Sequence, residues 1–172
     1  MTMNVYFATM TGNAESLATS VVDEFVASGL EASLVDMGKV SPSDLTKTEC
    51  AVFIVSTWGE GEPPNDADEF WSELEFAALD LSCMHYAVFG LGDSGYDEFN
   101  GFARDLDERL KVLGAKPFMD RVDADIDYSD DFDDWEARVL KHAGAAMGAD
   151  LSAAMGADLS AALGADLTAE MS

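Results

Sequence analysis

Positively charged residues are scarce in this sequence. Of its 172 residues only nine are Lys or Arg, whereas 34 are Asp or Glu, which gives a formal net charge of -25. A surface with this charge repels nucleic acids and anionic membranes, so we expect neither as a partner. The acidity has two interpretations: a surface that stays hydrated in concentrated salt, or steering of a basic partner. Because the Debye length in molar salt is only about 3 Å and the acids are spread along the chain, we favour salt adaptation.

Cysteines and long apolar runs are also scarce. Neither Cys50 nor Cys83 has the spacing of a metal ligand, so we expect both to be reduced, small core residues of a cytoplasmic protein. No run approaches about 18 uninterrupted apolar residues, and no basic segment followed by an apolar stretch begins the chain, so neither membrane insertion nor secretion is predicted. The apolar content of 48% is enough for one substantial core.

The sequence does contain a loop of small residues between a predicted strand and a predicted helix. The strand is 3–8, and apolar residues recur at helical spacing from Ala14 to Val26, with Gly29 as the helix stop. The intervening stretch T-M-T-G-N-A-E, residues 9–15, would expose backbone N–H groups at the positive end of the helix. By itself this pattern is equally compatible with a well-capped helix start.

Strands and helices then alternate along the chain. Further strands are predicted over 30–36, 51–55, 86–89 and 116–119, with helices between them, one of them capped by Asn65 or Asp66, and a last helix from Phe132 after an acidic loop, 121–131. The alternation predicts an α/β fold: a three-layer, doubly wound, five-stranded parallel sheet in the order 2-1-3-4-5. Loops 9–15, 56–65 and 91–100 should therefore converge at the carboxyl ends of the strands.

Two of these loops each present one large aromatic residue. Trp58 and Tyr96 stand among glycines and polar residues and not within a periodic apolar face. Beside an anion site, they suggest a planar heterocycle stacked between them, with Gly59 and Gly92 letting the backbone approach the ring. The alternative is that each aromatic packs on a neighbouring loop.

The three loops, read together, resemble the FMN-binding loops of flavodoxins. The similarity lies in T-M-T-G-N-A-E, S-T-W-G-E-G-E-P-P-N and F-G-L-G-D-S-G-Y-D-E-F-N, in that order and spacing. It covers about residues 3–141 and, through L-G-A-K-P-F and F-D-D-W-E, is also similar to the FMN domains of diflavin reductases. The resemblance implies a flavodoxin-like fold of the short-chain type, with an uninterrupted fifth strand and a halophile-like composition. No nicotinamide or FAD domain is recognised after it, so we expect a free-standing carrier.

The resemblance also implies which residues bind FMN. They are Thr9, Met10, Thr11, Gly12, Asn13, Ala14, Ser56, Thr57, Trp58, Gly59, Glu60, Leu91, Gly92, Asp93, Tyr96, Phe99, Asn100 and Asp123. The first loop would hold the phosphate, and Trp58 and Tyr96 would sandwich the ring. Because Met10 and Ala14 stand where many flavodoxins have hydroxyl residues, the phosphate should depend more on backbone N–H groups.

The function that this resemblance implies is low-potential one-electron transfer between redox partner proteins, by a monomer, through a semiquinone/hydroquinone couple. Acidic residues of the loops, such as Glu60, Glu62 and Asp93, would disfavour the anionic, fully reduced flavin. The Gly59 carbonyl, after a peptide flip, would accept a hydrogen bond from the protonated N5 of the flavin.

No catalytic residue or metal cluster accompanies the loops, and His85 and His142 are interpreted as structural. The alternative function is a flavodoxin-like, FMN-dependent reductase of a quinone or another small acceptor. A receiver-like signalling domain is disfavoured, because the central strand ends in Val55-Ser56-Thr57 without an acidic cluster.

The end of the chain repeats an octapeptide. From Ala145 the motif A-A-M-G-A-D-L-S recurs with small changes, and we divide the chain into an FMN-binding domain, 1–144, and a repeat extension, 145–172. Its Leu and Met residues recur every four positions, so their stripe drifts by about 40° per step around a helix. This predicts an exposed helical extension; the alternative is an oligomerising or docking segment.

Overall fold

The computed structural model describes residues 2–155, with side chains through residue 145. Six strands form one parallel sheet: β1 Thr2–Ala8, β2 Glu31–Asp36, β3 Cys50–Ser56, β4 His85–Leu91, β5 Lys116–Pro117 and β6 Val122–Ala124. Their order is β2-β1-β3-β4-β5, and β6 also pairs with β4. The predicted doubly wound order 2-1-3-4-5 is confirmed.

The central strands are apolar because both faces of the sheet are covered. Residues 50–55 of β3 are all buried, and their side chains alternate between two core clusters. On one face, Phe89 packs against Trp135 with ring centroids 5.2 Å apart. On the other, Tyr6 stacks on Phe53 at 4.8 Å. The central strands are therefore packed on both faces. Residues that bind a ligand are expected in the loops at the strand ends.

Four helices cover the sheet: α1 Asn13–Ala27, α2 Asp68–Phe76, α3 Gly101–Val112 and α4 Ser129–Met155. The buried faces of α1 and α4 join one core cluster and those of α2 and α3 the other. Gly29 and Gly114 follow α1 and α3 with φ of 83° and 101°, a left-handed conformation that ends a helix. The predicted stop at Gly29 is confirmed, although Val26, predicted on the apolar face, is 58% exposed.

The predicted cap of α2 is wrong. Asn65 and Asp66 do not cap α2, because Asn65–Ala67 forms a short 3-10 turn and Ala67 takes the N-cap position without a side-chain hydrogen bond. The connection after β2 is partly buried. It contains a 3-10 helix, Pro42–Lys47, whose Ser41 N–H donates to the Asp44 carboxylate at 3.0 Å, and Pro42 is buried.

The prediction of an uninterrupted fifth strand is also wrong, as is that of a loop over 121–131. After β5 the Phe118 N–H still donates to the Tyr86 carbonyl at 2.8 Å, then the chain separates from β4 and returns as β6 opposite Phe89–Leu91. The Arg121 guanidinium holds this excursion: it donates to the buried Asp107 carboxylate and to Asp123, both at 2.8 Å. The Tyr86 hydroxyl donates to the same Asp107 carboxylate at 2.6 Å. Burial raises the pKa of Tyr86 far above its ordinary value, and Asp107 adds to this, so its proton stays in the bond.

The two cysteines have different environments. Cys50 is buried in β3, where burial raises the pKa of its thiol to about 11. Cys83 is exposed, so its predicted place in the core is wrong; the residue lies in the turn before β4 and not in a strand.

Helix α4 runs without a break across residue 145, where we placed the start of the repeat extension. Residues 156–172 carry the later repeats and lie outside the described residues, so the division of the chain stays a prediction. Through residue 155, no helix combines the length and the hydropathy that crossing a bilayer requires.

Candidate functional site

A cavity of about 420 Å³ opens at the carboxyl edge of the sheet, beyond the ends of β1, β3, β4 and β6. The three predicted loops meet there, as the strand order requires. The predicted site residues that line it are Met10, Thr11, Asn13, Ser56, Thr57, Trp58, Gly59, Leu91, Gly92, Asp93, Tyr96, Phe99 and Asn100.

Five predicted site residues do not line the cavity: Thr9, Gly12, Ala14, Glu60 and Asp123. Thr9 and Gly12 stabilise the conformation of the first loop, because the Thr9 hydroxyl accepts a hydrogen bond from the Gly12 N–H at 2.8 Å. Ala14, in the first turn of α1, is fully buried in the core. The Asp123 carboxylate is directed to Arg121, so the structure places this side chain in an ion pair and not at the cavity.

The first loop presents the N-terminus of α1 to the cavity. Gly12 occupies the N-cap position with φ of 92°, and no side chain caps the first turn. The first N–H groups of a helix lack partners within it, and the helix dipole places positive charge at this end. The interpretation as a merely well-capped helix start is therefore disfavoured, and the loop is suited to an anion such as a phosphate ester.

The second loop is a tight hairpin that presents Trp58. The Trp58 N–H donates to the Glu62 carbonyl at 2.7 Å, and the Glu62 N–H donates back at 2.8 Å. Gly61 has φ of 100°, and a Cβ on Gly101 would lie 2.8 Å from the Gly61 Cα. Two glycines thus allow this hairpin to rest directly on the start of α3. The contribution of Gly101 was not predicted.

The second and third loops are joined by Thr57. Its N–H donates to the Leu91 carbonyl at 3.0 Å, and its hydroxyl accepts from the Phe102 N–H at 3.2 Å. In the third loop the Tyr96 N–H donates to the Asp93 carbonyl at 3.1 Å, which closes a turn. The hydrogen bonds fix the separation between the loops that carry the two aromatic residues.

Trp58 and Tyr96 are 51% and 53% exposed, and within the described part of the chain neither belongs to an aromatic pair. Large aromatic surfaces left half-exposed at a cavity favour a ligand over packing between loops. A planar ring is the natural partner for two such faces.

Four lining residues were not predicted: Glu98, Asp125, Ile126 and Tyr128. The last three follow β6, where the sequence predicts a loop. A signal was present, because Val122 and Ala124 alternate with acidic residues at the period of a strand. The many acidic residues around Val122 and Ala124 favoured a loop over a strand in the prediction.

The cavity has a negative electrostatic environment. Its lining carboxylates are Asp93, Glu98 and Asp125, and among the residues described here no Lys, Arg or His lines it. Hydrogen bonds from the Ser94 hydroxyl, then from the N–H groups of Ser94 and Ile126, lower the pKa of Asp125, so this carboxylate is charged at neutral pH. Adding negative charge to a bound group is therefore opposed. His85, by contrast, begins β4 at the opposite edge of the sheet.

Comparisons with known proteins agree on one family. The family model described as Flavodoxin matches residues 5–137. Flavodoxin from Streptococcus pneumonia TIGR4 is 28% identical and superposes with a TM-score of 0.75 over 84% of this chain and 99% of its own. A short-chain flavodoxin associated with a bacterial microcompartment gives 28% identity and a TM-score of 0.73, over 85% of this chain and 99% of its own.

Curated relatives are components of larger enzymes. The chain is 37% identical over 142 residues to the sulfite reductase [NADPH] flavoprotein alpha-component of Photobacterium profundum, a match that covers 82% of this chain and 24% of that protein. The corresponding protein of Sodalis glossinidius is 38% identical over 135 residues, covering 78% and 22%. The chain thus spans about a quarter of the length of these relatives.

Proposed function

Because this chain belongs to the flavodoxin family, whose members bind FMN and transfer electrons, we propose that it is a low-potential one-electron carrier between redox partner proteins and not an enzyme that transforms a small substrate. The observation that carries this proposal is the convergence of three loops on one acidic cavity that combines a helix N-terminus with two half-exposed aromatic faces.

The cavity fits FMN in its chemistry. The first turn of α1, which no side chain caps, would hold the phosphate together with Thr11 and Asn13, which line the cavity there. Trp58 and Tyr96 would flank the isoalloxazine ring, and backbone groups of residues 91–93 would meet its polar edge. In this arrangement Thr9, Gly12 and Ala14 shape the loop, and Asp125 replaces Asp123 among the residues at the cavity.

Bound FMN supplies the capacity to accept and donate electrons one at a time. The chain contributes position and charge. Asp93, Glu98 and Asp125 oppose the negative charge that the second electron adds at the site, which lowers the midpoint potential of the second one-electron reduction. Gly59, at φ of 52°, leaves its peptide plane easy to rotate, so its carbonyl can turn toward a proton donor in the cavity.

We propose the class of redox partner from the relatives. Similarity to the flavoprotein component of NADPH-dependent sulfite reductase supports a redox enzyme of that class as a partner. We further propose that the net charge of -25 is an adaptation to concentrated salt, and that the protein is cytoplasmic, which agrees with two unpaired cysteines.

The experiment compares electron transfer with catalysis. FMN-loaded protein is reduced photochemically and mixed with cytochrome c, a one-electron acceptor; separately, the oxidised protein is incubated with NADPH and a quinone. A carrier reduces cytochrome c stoichiometrically and does not oxidise NADPH. Saturable, multiple-turnover oxidation of NADPH by the quinone would instead establish the reductase alternative.

A further inference from the structure

The segment after β6 is tied to the third loop by a single carboxylate. Asp125 Oδ1 accepts hydrogen bonds from the Ser94 N–H at 3.0 Å and from the Ile126 N–H at 2.8 Å. Asp125 Oδ2 accepts from the Ser94 hydroxyl. Ser94 and Asp125 lie 31 residues apart in sequence, so the contact joins two separate walls of the cavity.

Ser94 lies within the turn that presents Tyr96. On one side of it Asp93 accepts two hydrogen bonds, from the Gly95 N–H to its carboxylate at 2.8 Å and from the Tyr96 N–H to its carbonyl at 3.1 Å. Ser94 itself does not line the cavity, whereas Asp93 and Tyr96 do. Holding Ser94 therefore restrains Tyr96, although Ser94 itself does not line the cavity.

We propose that Ser94 and Asp125 form a clamp that positions Tyr96 against bound FMN and thereby sets FMN affinity and both one-electron potentials. This inference rests on the proposed function. The clamp is a positioning device: Ser94 acts through Asp125 and through the turn, and Asp125 adds a negative charge at the cavity wall. An ionised Asp125 strengthens it, because charge-assisted hydrogen bonds are stronger than neutral ones.

The decisive variant is Ser94→Ala. It removes the hydroxyl donor but changes neither the net charge nor any cavity-lining side chain. Loss of one hydrogen bond to a carboxylate should weaken FMN binding by about tenfold. We expect Ser94→Ala to show this loss in a fluorescence titration, together with a shift of both potentials, and Ser94→Thr to restore both quantities because it keeps the hydroxyl.

A second variant separates the clamp from the charge. Asp125→Asn should weaken FMN binding and also raise the potential of the second electron, because a negative charge is lost beside the flavin. If the two residues act as one clamp, the double variant Ser94→Ala/Asp125→Ala should bind FMN no more weakly than Asp125→Ala alone, in which both acceptor oxygens are absent.

The chain offers a matched control. Ser82 and Asp80 form a similar exposed pair, with the Ser82 N–H donating to Asp80 at 3.0 Å, in the segment that precedes β4 at the opposite edge of the sheet. Ser82→Ala should leave FMN affinity and potentials at the wild-type values.

Wild-type affinity and potentials in Ser94→Ala would overturn the clamp while leaving the proposed function intact, provided that the wild-type protein binds FMN and is reduced in two steps. Additive losses in the double variant would also overturn it, since the residues would then act independently. A wild-type protein that fails to bind FMN would overturn both proposals. Thermal melts of the variants show that a lost flavin does not reflect unfolding.

Discussion

The Asn100 side-chain amide and the Gly92 N–H donate to the same acceptor, the Ala124 carbonyl, each at 3.0 Å. Asn100 is buried and has φ of 54°, a conformation that asparagine tolerates better than most residues. Its side chain lies against Gly90 and Gly92, where a Cβ on Gly90 would be 2.5 Å from Asn100 Oδ1. One side chain therefore connects the end of β4, the start of α3 and β6.

Asn100→Asp should destabilise the protein and weaken FMN binding. Aspartate also tolerates the left-handed conformation, so the change tests the hydrogen bond: a carboxylate cannot donate to the Ala124 carbonyl. We expect the free energy of unfolding in urea to fall by about 1 to 3 kcal/mol. Asn4→Asp is the control, because it adds the same charge but removes only a 3.5 Å contact with Thr48. Equal effects of the two variants would show that charge alone is responsible.

Trp58→Ala and Tyr96→Ala should each weaken FMN binding, by about 2- to 10-fold, because an aromatic face beside the ring is lost. Phe76→Ala is the matched control, since Phe76 is 83% exposed on α2 and does not line the cavity. Flavin fluorescence titrations measure all three dissociation constants. If both loop variants behave like Phe76→Ala, Trp58 and Tyr96 do not contact the flavin.

Stability should fall as salt is removed. At a net charge of -25 the chain repels itself, and the Debye length grows from about 3 Å at 1 M salt to about 30 Å at 0.01 M. Thermal melts in KCl over this range should show a steadily decreasing Tm. Melts in tetramethylammonium chloride at equal ionic strength show whether screening alone is responsible. A constant Tm would remove the argument for salt adaptation and favour a basic partner as the reason for the acidity.

Deleting residues 149–172 should leave FMN affinity and both potentials unchanged, because no proposed flavin contact lies beyond Tyr128. In α4 both Ala143 and Gly144 are buried, and the truncated protein keeps them. Flavin titration and potentiometry compare the truncated protein with the full chain, and light scattering compares their masses. A shifted potential would place the extension near the flavin; a changed mass alone would identify an oligomerisation segment.

The sheet order and the three loops were predictable because their signals are local. β3 is a continuous apolar run, the first loop carries Gly12, and the second and third loops each carry their glycines and a large aromatic residue within a short stretch. The division of the fifth strand was not predictable in the same way. It depends on the ion pair between Arg121 and the buried Asp107 on α3. The local sequence around either residue does not indicate that the two side chains meet.

The cavity wall after β6 was missed for a related reason. The sequence predicts an acidic loop over 121–131, which includes Asp125, and the resemblance implies Asp123 as a site residue. In the structure the two carboxylates have different partners. Asp123 forms an ion pair with Arg121, and Asp125 accepts hydrogen bonds from Ser94. Only the pairing of β6 with β4 determines which of the two faces the cavity.

The most direct test of the account is a stepwise reductive titration of the FMN-loaded, wild-type protein in molar KCl, followed by absorption spectroscopy. We predict one FMN per chain and two separate one-electron steps, with the second at the lower potential because Asp93, Glu98 and Asp125 oppose added negative charge. A protein that binds no FMN, or one in which both electrons enter in a single step, would contradict it.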